Sequence, residues 1–260
     1  MSSRIDLTAD IVNMDRGGVG RRIRHSVLLF PILSVVRQFP FFLFVCLTVF
    51  GLSGCSQKAE QEAKVEAPPA IPLPPKDTRP TIVCFGDSIT AGYGIEAGKS
   101  YPDHLQKILD AKGYKFRVVN AGISGDTTSG GMDRLNDALG FEPKVTLLEL
   151  GGNDGLRGIP VTSSRDALTQ IAARLEAKGS KVLLLGITLP RNYGPDYIHE
   201  FESMYQTLAK SHNYPFMPFV LEGAYGKPGM MQQDGIHPTA AGAAIVAQNV
   251  FRYLEPLLKQ

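Results

Sequence analysis

Cysteine is scarce in this chain, three among 260 residues, and none of the three has a partner within reach of its role. Cys46 lies inside an apolar run, Cys55 closes that run, and Cys84 falls in a second apolar segment that predicts a core strand. With the first run read as a signal, no pair is left for a disulfide, and Cys84 is a packing residue. A dominant charge is lacking too, with 27 Lys and Arg against 25 Asp and Glu. The first 54 residues hold 6 of the basic and 3 of the acidic side chains, so the remainder carries 21 against 22. No basic face is implied, which excludes nucleic acid as an expected partner. A Gly-x-x-x-x-Gly-Lys-Ser/Thr phosphate loop and a His/Cys cluster at metal spacing are both missing, so neither cofactor nor metal is expected.

The apolar run itself, Phe39 to Gly54, is shorter than the ~20 residues of a spanning helix and ends Leu52-Ser53-Gly54-Cys55. It reads as a signal peptide, and the small residues before Cys55 resemble the lipobox of bacterial lipoproteins, in which that cysteine is lipidated. The other reading is a plain secretory signal with a chance cysteine. A further apolar stretch, Ser26 to Val36, precedes it across Arg37 and Gln38. Residues 1–54 are therefore expected to be a signal region with an over-extended start: a non-AUG start at Val35 or Val36 would leave a lipoprotein signal over 36–54. The competing reading is a longer membrane-associated hairpin. Residues 55–80 are expected to be a lipidated Cys55 and a flexible tether, rich in Pro, Ala, Glu and Lys. The expected location is the periplasmic side of a bacterial membrane, lipid-anchored, or soluble periplasm if Cys55 is not modified.

From Thr81 short apolar runs alternate with amphipathic stretches, the pattern of βαβ units around a parallel sheet. Strands are predicted at Thr81–Phe85, Phe116–Asn120, Val145–Leu150, Val182–Ile187 and Pro215–Phe219, each apolar without alternation, as burial on both faces requires. Tyr101, Leu105, Ile108 and Leu109, then Leu168, Ile171 and Leu175, then Phe201, Tyr205 and Leu208 stand at helical spacing. Thr239 is placed to cap a final helix, with Pro238 keeping His237 in an extended loop. Residues 81–260 thus predict one α/β domain, a three-layer sandwich around a five-stranded parallel sheet, with ligands at the carboxyl ends of the strands.

At that edge the chemistry collects. The first strand runs into Gly86-Asp87-Ser88-Ile89-Thr90, delivering a serine into a glycine-rich turn. Asp234-Gly235-Ile236-His237-Pro238 offers an acid and an imidazole three residues apart. A serine hydroxyl needs a base to take its proton and a third group to orient that base, roles that Ser88, His237 and Asp234 are placed to fill. Gly125 and Asn153 follow the second and third strands in segments suited to oxyanion donors. Asp87 is expected to support the turn, and His104, His199 and His212 to be surface residues. The surroundings of Ser88 are not the Gly-x-Ser-x-Gly of α/β-hydrolases, because Thr90 stands where the second glycine would be.

These segments resemble the four blocks of the SGNH, or GDSL, hydrolase superfamily: Gly86-Asp87-Ser88, Gly125, Gly151-Gly152-Asn153-Asp154 and Asp234-Gly235-Ile236-His237-Pro238. Within it the chain is similar to the bacterial thioesterase I, protease I and lysophospholipase group, through Leu148 to Gly158 and Met231 to Pro238, over about Thr81 to Leu258. The resemblance implies a flavodoxin-like SGNH fold and a catalytic triad of Ser88, Asp234 and His237. It also implies an oxyanion hole made by the amides of Ser88 and Gly125 and the side chain of Asn153. The activity implied is hydrolysis of small-molecule acyl esters and thioesters, among them lysophospholipids, acyl-CoA-like thioesters and aryl esters, by an expected monomer. Leu156, Ile159, Pro160 and the Tyr193 to Tyr197 region are expected to wall an acyl site. A carbohydrate O-acetyl esterase of the same superfamily and a non-catalytic lipid-binding lipoprotein are the alternatives.

Overall fold

Ile82, Val83, Cys84 and Phe85 are apolar in succession, so a strand built from them has no face to give to water, and all four are fully buried. In the computed structural model, which describes residues 77–259, this strand sits between two others. The expected signal region, Cys55 and tether residues 56–76 lie outside the described residues. The elements are β1 (Thr81–Gly86), α1 (Ser88–Ala91), α2 (Tyr101–Ala111), β2 (Arg117–Gly122), α3 (Thr128–Asp133), α4 (Leu135–Leu139) and β3 (Pro143–Glu149). They continue with α5 (Gly152–Leu156), α6 (Val161–Ala177), β4 (Lys181–Leu185), α7 (Pro195–His212), β5 (Phe216–Met217) and α8 (Ala240–Leu258). The five strands are parallel in the order β2-β1-β3-β4-β5, the α/β architecture expected.

Two strands depart from the expected both-face burial. β2 is an edge strand whose residues are half-buried or exposed, and it begins at Arg117 and runs to Gly122, later than predicted. β5, at the other edge, is ordered as a strand for two residues only, Phe216 and Met217, because Pro218 breaks the ladder behind them. An edge strand pairs on one side and needs no second apolar face.

The amphipathic helices form where their apolar stripes lay. Ser100 caps α2 in a reciprocal box with Asp103, and Thr239 caps α8 by accepting the Gly242 amide. Leu105 and Leu109 of α2 and Val246, Val250 and Leu254 of α8 are fully buried. Cys84 is buried as predicted, and that burial drives its thiol pKa far up, away from any nucleophilic role. β1 and β3, adjacent at the centre, end at Gly86 and Glu149, so the loops after them open side by side.

Candidate active site

Asp87, not Ser88, caps α1: its Oδ1 accepts the Ile89 amide at 3.1 Å, which places Ser88 at the first helical position, half-buried. Gly86 is needed just before it, since a Cβ there would lie 2.2 Å from Thr90 Oγ1 and 2.6 Å from Glu149 Oε2. The Ser88 hydroxyl meets His237 Nε2 at 2.8 Å, and His237 Nδ1 meets Asp234 Oδ2 at 2.8 Å. The chain thus brings together three residues from opposite ends of the domain, in the order a proton relay requires.

The loop carrying the acid and the imidazole is closed by its own backbone. Asp234 Oδ1 accepts the amides of Ile236 and His237 at 3.0 and 3.1 Å, leaving Oδ2 for the imidazole. Gln232 N donates to the His237 carbonyl at 2.8 Å, and Gln232 Nε2 reaches the carbonyls of Tyr93 and Pro238 at 2.7 and 2.9 Å. Partial burial pushes the Asp234 carboxyl up, but the hydrogen bonds from the His237 ring and the two amides outweigh it and hold Asp234 below its usual value. The Tyr93 ring lies against that of His237, tilted by 44° with centroids 4.8 Å apart.

Ser88, Gly125 and Asn153 line one cleft of about 250 Å³. Among the described residues no protein acceptor is bonded to the backbone amides of Ser88 or Gly125. Gly125 has φ +86°, a left-handed conformation that suits glycine, and its carbonyl accepts from Arg157 Nη2 at 2.9 Å. Asn153 differs from the other two: its Nδ2 donates to the Asp126 carbonyl at 2.9 Å and to Asp87 Oδ2 at 3.2 Å.

The apolar wall is built from residues other than most of those expected. Leu156 lines the cleft, with Ile187, Leu189, Pro190, Phe219, Leu221 and Tyr225. Ile159, Pro160, Tyr193 and Tyr197 do not: Ile159 faces a different hollow, and the hydroxyls of Tyr193 and Tyr197 donate to the carbonyls of Leu156 and Gly155. The true wall comes from the segments after β4 and β5, whose entry into the cleft depends on strand order and not on local sequence.

Two further features were not anticipated. Glu149 is fully buried, its Oε2 accepting from Thr90 Oγ1 at 2.7 Å and from the Asp87 amide at 3.3 Å, while Oε1 has no hydrogen-bond partner. Burial, and then the neighbouring Asp87 charge, drive its pKa well above the usual range, and burial raises Asp87 to about 6. An acid in the apolar run Leu147-Leu148-Glu149-Leu150 is the sequence signal that could have found it. Arg134 pairs with Asp126 and donates to the carbonyls of Ala121 and Gly86 at 2.7 and 2.9 Å, joining the ends of β1 and β2. Of the three histidines expected at the surface, His199 and His212 are exposed, whereas His104 is half-buried in α2 with Nε2 unpartnered.

Comparison with known proteins points one way. The GDSL-like Lipase/Acylhydrolase family matches residues 84–245. Esterase TesA of Pseudomonas aeruginosa is 47% identical over 179 residues, covering 68% of this chain and 89% of that protein. Thioesterase 1/protease 1/lysophospholipase L1 of Escherichia coli K12 is 41% identical over 179 residues, with 68% and 85% covered. Among solved structures, psychrotrophic esterase EstA from Pseudoalteromonas, inhibited by monoethylphosphonate, superposes with TM-score 0.66 at 32% identity, covering 69% of this chain and 99% of that one.

Proposed function

The chain belongs to the GDSL-like lipase and acylhydrolase family and is an ester and thioester hydrolase of it, and from that premise we propose that Ser88, His237 and Asp234 carry out a two-step acyl transfer. The observation that carries the assignment of roles is the unbroken run of 2.8 Å contacts from Ser88 Oγ through His237 to Asp234. Ser88 attacks the substrate carbonyl while His237 Nε2 takes its proton, and Asp234 steadies the imidazolium through Nδ1. The tetrahedral oxyanion faces the amides of Ser88 and Gly125 and the carboxamide of Asn153. Collapse breaks the ester or thioester bond, and the leaving oxygen or sulfur receives the proton from His237. Water, deprotonated by the same imidazole, then attacks the acyl-serine and releases the acid and Ser88.

The substrates we assign are lysophospholipids, aryl esters and acyl-CoA-like thioesters; the relatives' names, esterase, thioesterase and lysophospholipase, support ester, thioester and lysophospholipid hydrolysis. An apolar wall of Leu156, Ile187, Leu189, Phe219 and Leu221 supports an acyl chain over the sugar of a glycan acetyl ester. Rates on p-nitrophenyl esters from acetate to palmitate, beside lysophosphatidylcholine and acetylated xylan, test this. A preference for acetylated xylan would overturn it. Ser88→Ala should abolish covalent labelling by a fluorophosphonate without unfolding the domain, and persistent labelling would move the nucleophile elsewhere.

We also propose that Cys55 is lipidated and holds the hydrolase on the periplasmic face of a membrane, on the strength of Leu52-Ser53-Gly54-Cys55 closing an apolar run. Cys55→Ser should then release the protein from the membrane fraction or leave it unprocessed. Wild-type protein that washes off membranes in detergent-free buffer would contradict the anchor.

A further inference from the structure

Asp87 makes two hydrogen bonds that few side chains of its size can make together. As the cap of α1 it accepts the Ile89 amide on Oδ1, and on Oδ2 it accepts Nδ2 of Asn153. Serine and asparagine cap helices as well as aspartate does, but neither has a second acceptor branch. Capping alone therefore does not explain an aspartate here.

The second bond matters because of what Asn153 must do. Its amide nitrogen has two hydrogens, and both are held, one by the Asp126 carbonyl and one by Asp87. Asp87 and Asn153 line the cleft and Asp126 does not, and the bond to Asp87 is the longer of the two, 3.2 Å against 2.9 Å. A carboxamide is nearly symmetric in shape, and which end faces a site is set by its partners. Here both partners are acceptors, and both demand nitrogen. Asp87 is fixed in turn: it is 2% exposed, its amide donates to the Glu149 carbonyl at 3.2 Å, and a Cβ on Gly152 would sit 3.2 Å from Oδ2. Burial, and then the neighbouring Asp87 charge, push the Glu149 carboxyl well above its usual range, while burial raises Asp87 to about 6.

We propose that Asp87 is a positioning residue that turns the carboxamide nitrogen of Asn153 toward the cleft and yields its hydrogen bond to the oxyanion as that charge develops. The inference rests on Asn153 being an oxyanion donor, as assigned above.

Asp87→Asn and Asp87→Ser keep a cap for α1 and remove the second acceptor. Each is made alone and together with Asn153→Ala, with kcat, KM and Tm measured on p-nitrophenyl butyrate. Alone, each should lower kcat by roughly 10- to 100-fold with KM within about 3-fold; on the Asn153→Ala background the further loss should be under about 3-fold, because the group being positioned is gone. Equal losses on both backgrounds, or an unchanged or raised kcat, would overturn the proposal. An unaltered kcat in Asn153→Ala alone would remove the donor assignment and the proposal with it. Should the Asp87 variants not fold, NMR of the wild-type side-chain amides decides. The Asn153 pair, identified by its disappearance in Asn153→Ala, should show one proton shifted far downfield by the carboxylate. An unshifted pair would overturn the proposal.

Discussion

Arg157 donates from Nη2 to the Gly125 carbonyl at 2.9 Å, tying the end of α5 to the loop after β2. Holding that carbonyl restrains the backbone at Gly125, whose amide is the proposed second oxyanion donor. Arg157→Ala removes one exposed hydrogen bond beside a proposed oxyanion donor, so kcat should fall by roughly 3- to 10-fold while Tm drops by no more than about 4 °C. A lower Tm with unaltered kcat would mean that Arg157 serves stability alone.

Asn153→Ala tests the proposal that its carboxamide donates to charge that exists mainly in the transition state. The expected penalty is ~100- to 1,000-fold in kcat, with KM little changed and fluorophosphonate labelling slowed but present. A rise in KM alone would make Asn153 a substrate-binding residue.

Glu149 should make stability depend on pH in the sense opposite to most carboxylates. Its pKa is raised on folding, so its contribution is fully present below the unfolded value near 4.3 and is lost as pH rises toward the folded value. In that window one such group removes about 1.4 kcal/mol per pH unit, or roughly 3–5 °C of Tm for a domain of this size. Glu149→Gln, a mimic of the protonated acid, should therefore match wild type in acid and exceed it increasingly as pH rises above the unfolded carboxyl value. Parallel Tm curves across that range would show that Glu149 is ionised in the folded protein.

Tyr225 is 44% exposed, packs edge-on against Phe219 and borders the cleft. Tyr225→Ala should raise KM for a dodecanoyl ester by roughly 3- to 10-fold through lost apolar contact while leaving the acetyl ester within about 2-fold. Equal effects on both esters would place the acyl chain elsewhere.

The sequence was most legible where burial is complete. β1, β3 and β4 carry runs of Val, Ile, Leu and Phe that only a two-sided core explains, and Ser88, Asp234 and His237 lie in short segments whose spacing is itself chemical. Helices α3, α4 and α5 were not read: Thr128-Ser129-Gly130-Gly131 and Gly152-Asn153-Asp154-Gly155 look like turns and lack an apolar stripe. The bond between Asp87 and Asn153 joins residues 66 apart in the chain, and the cleft wall at Phe219 and Tyr225 depends on β5 standing beside β4. Both follow from strand order, which no local pattern encodes.

The cap on α8 ties the imidazole loop to that helix. Thr239 stands two residues beyond His237; its hydroxyl and amide bond the carbonyls of Gly229 and Met230 while the same hydroxyl accepts the Gly242 amide of α8, so the loop carrying the imidazole and the start of that helix share one anchor. One residue thus sets both the start of a helix and the seat of the proposed base, so a change that loosens the cap also loosens the imidazole, and Thr239→Val should lower Tm and slow fluorophosphonate labelling together.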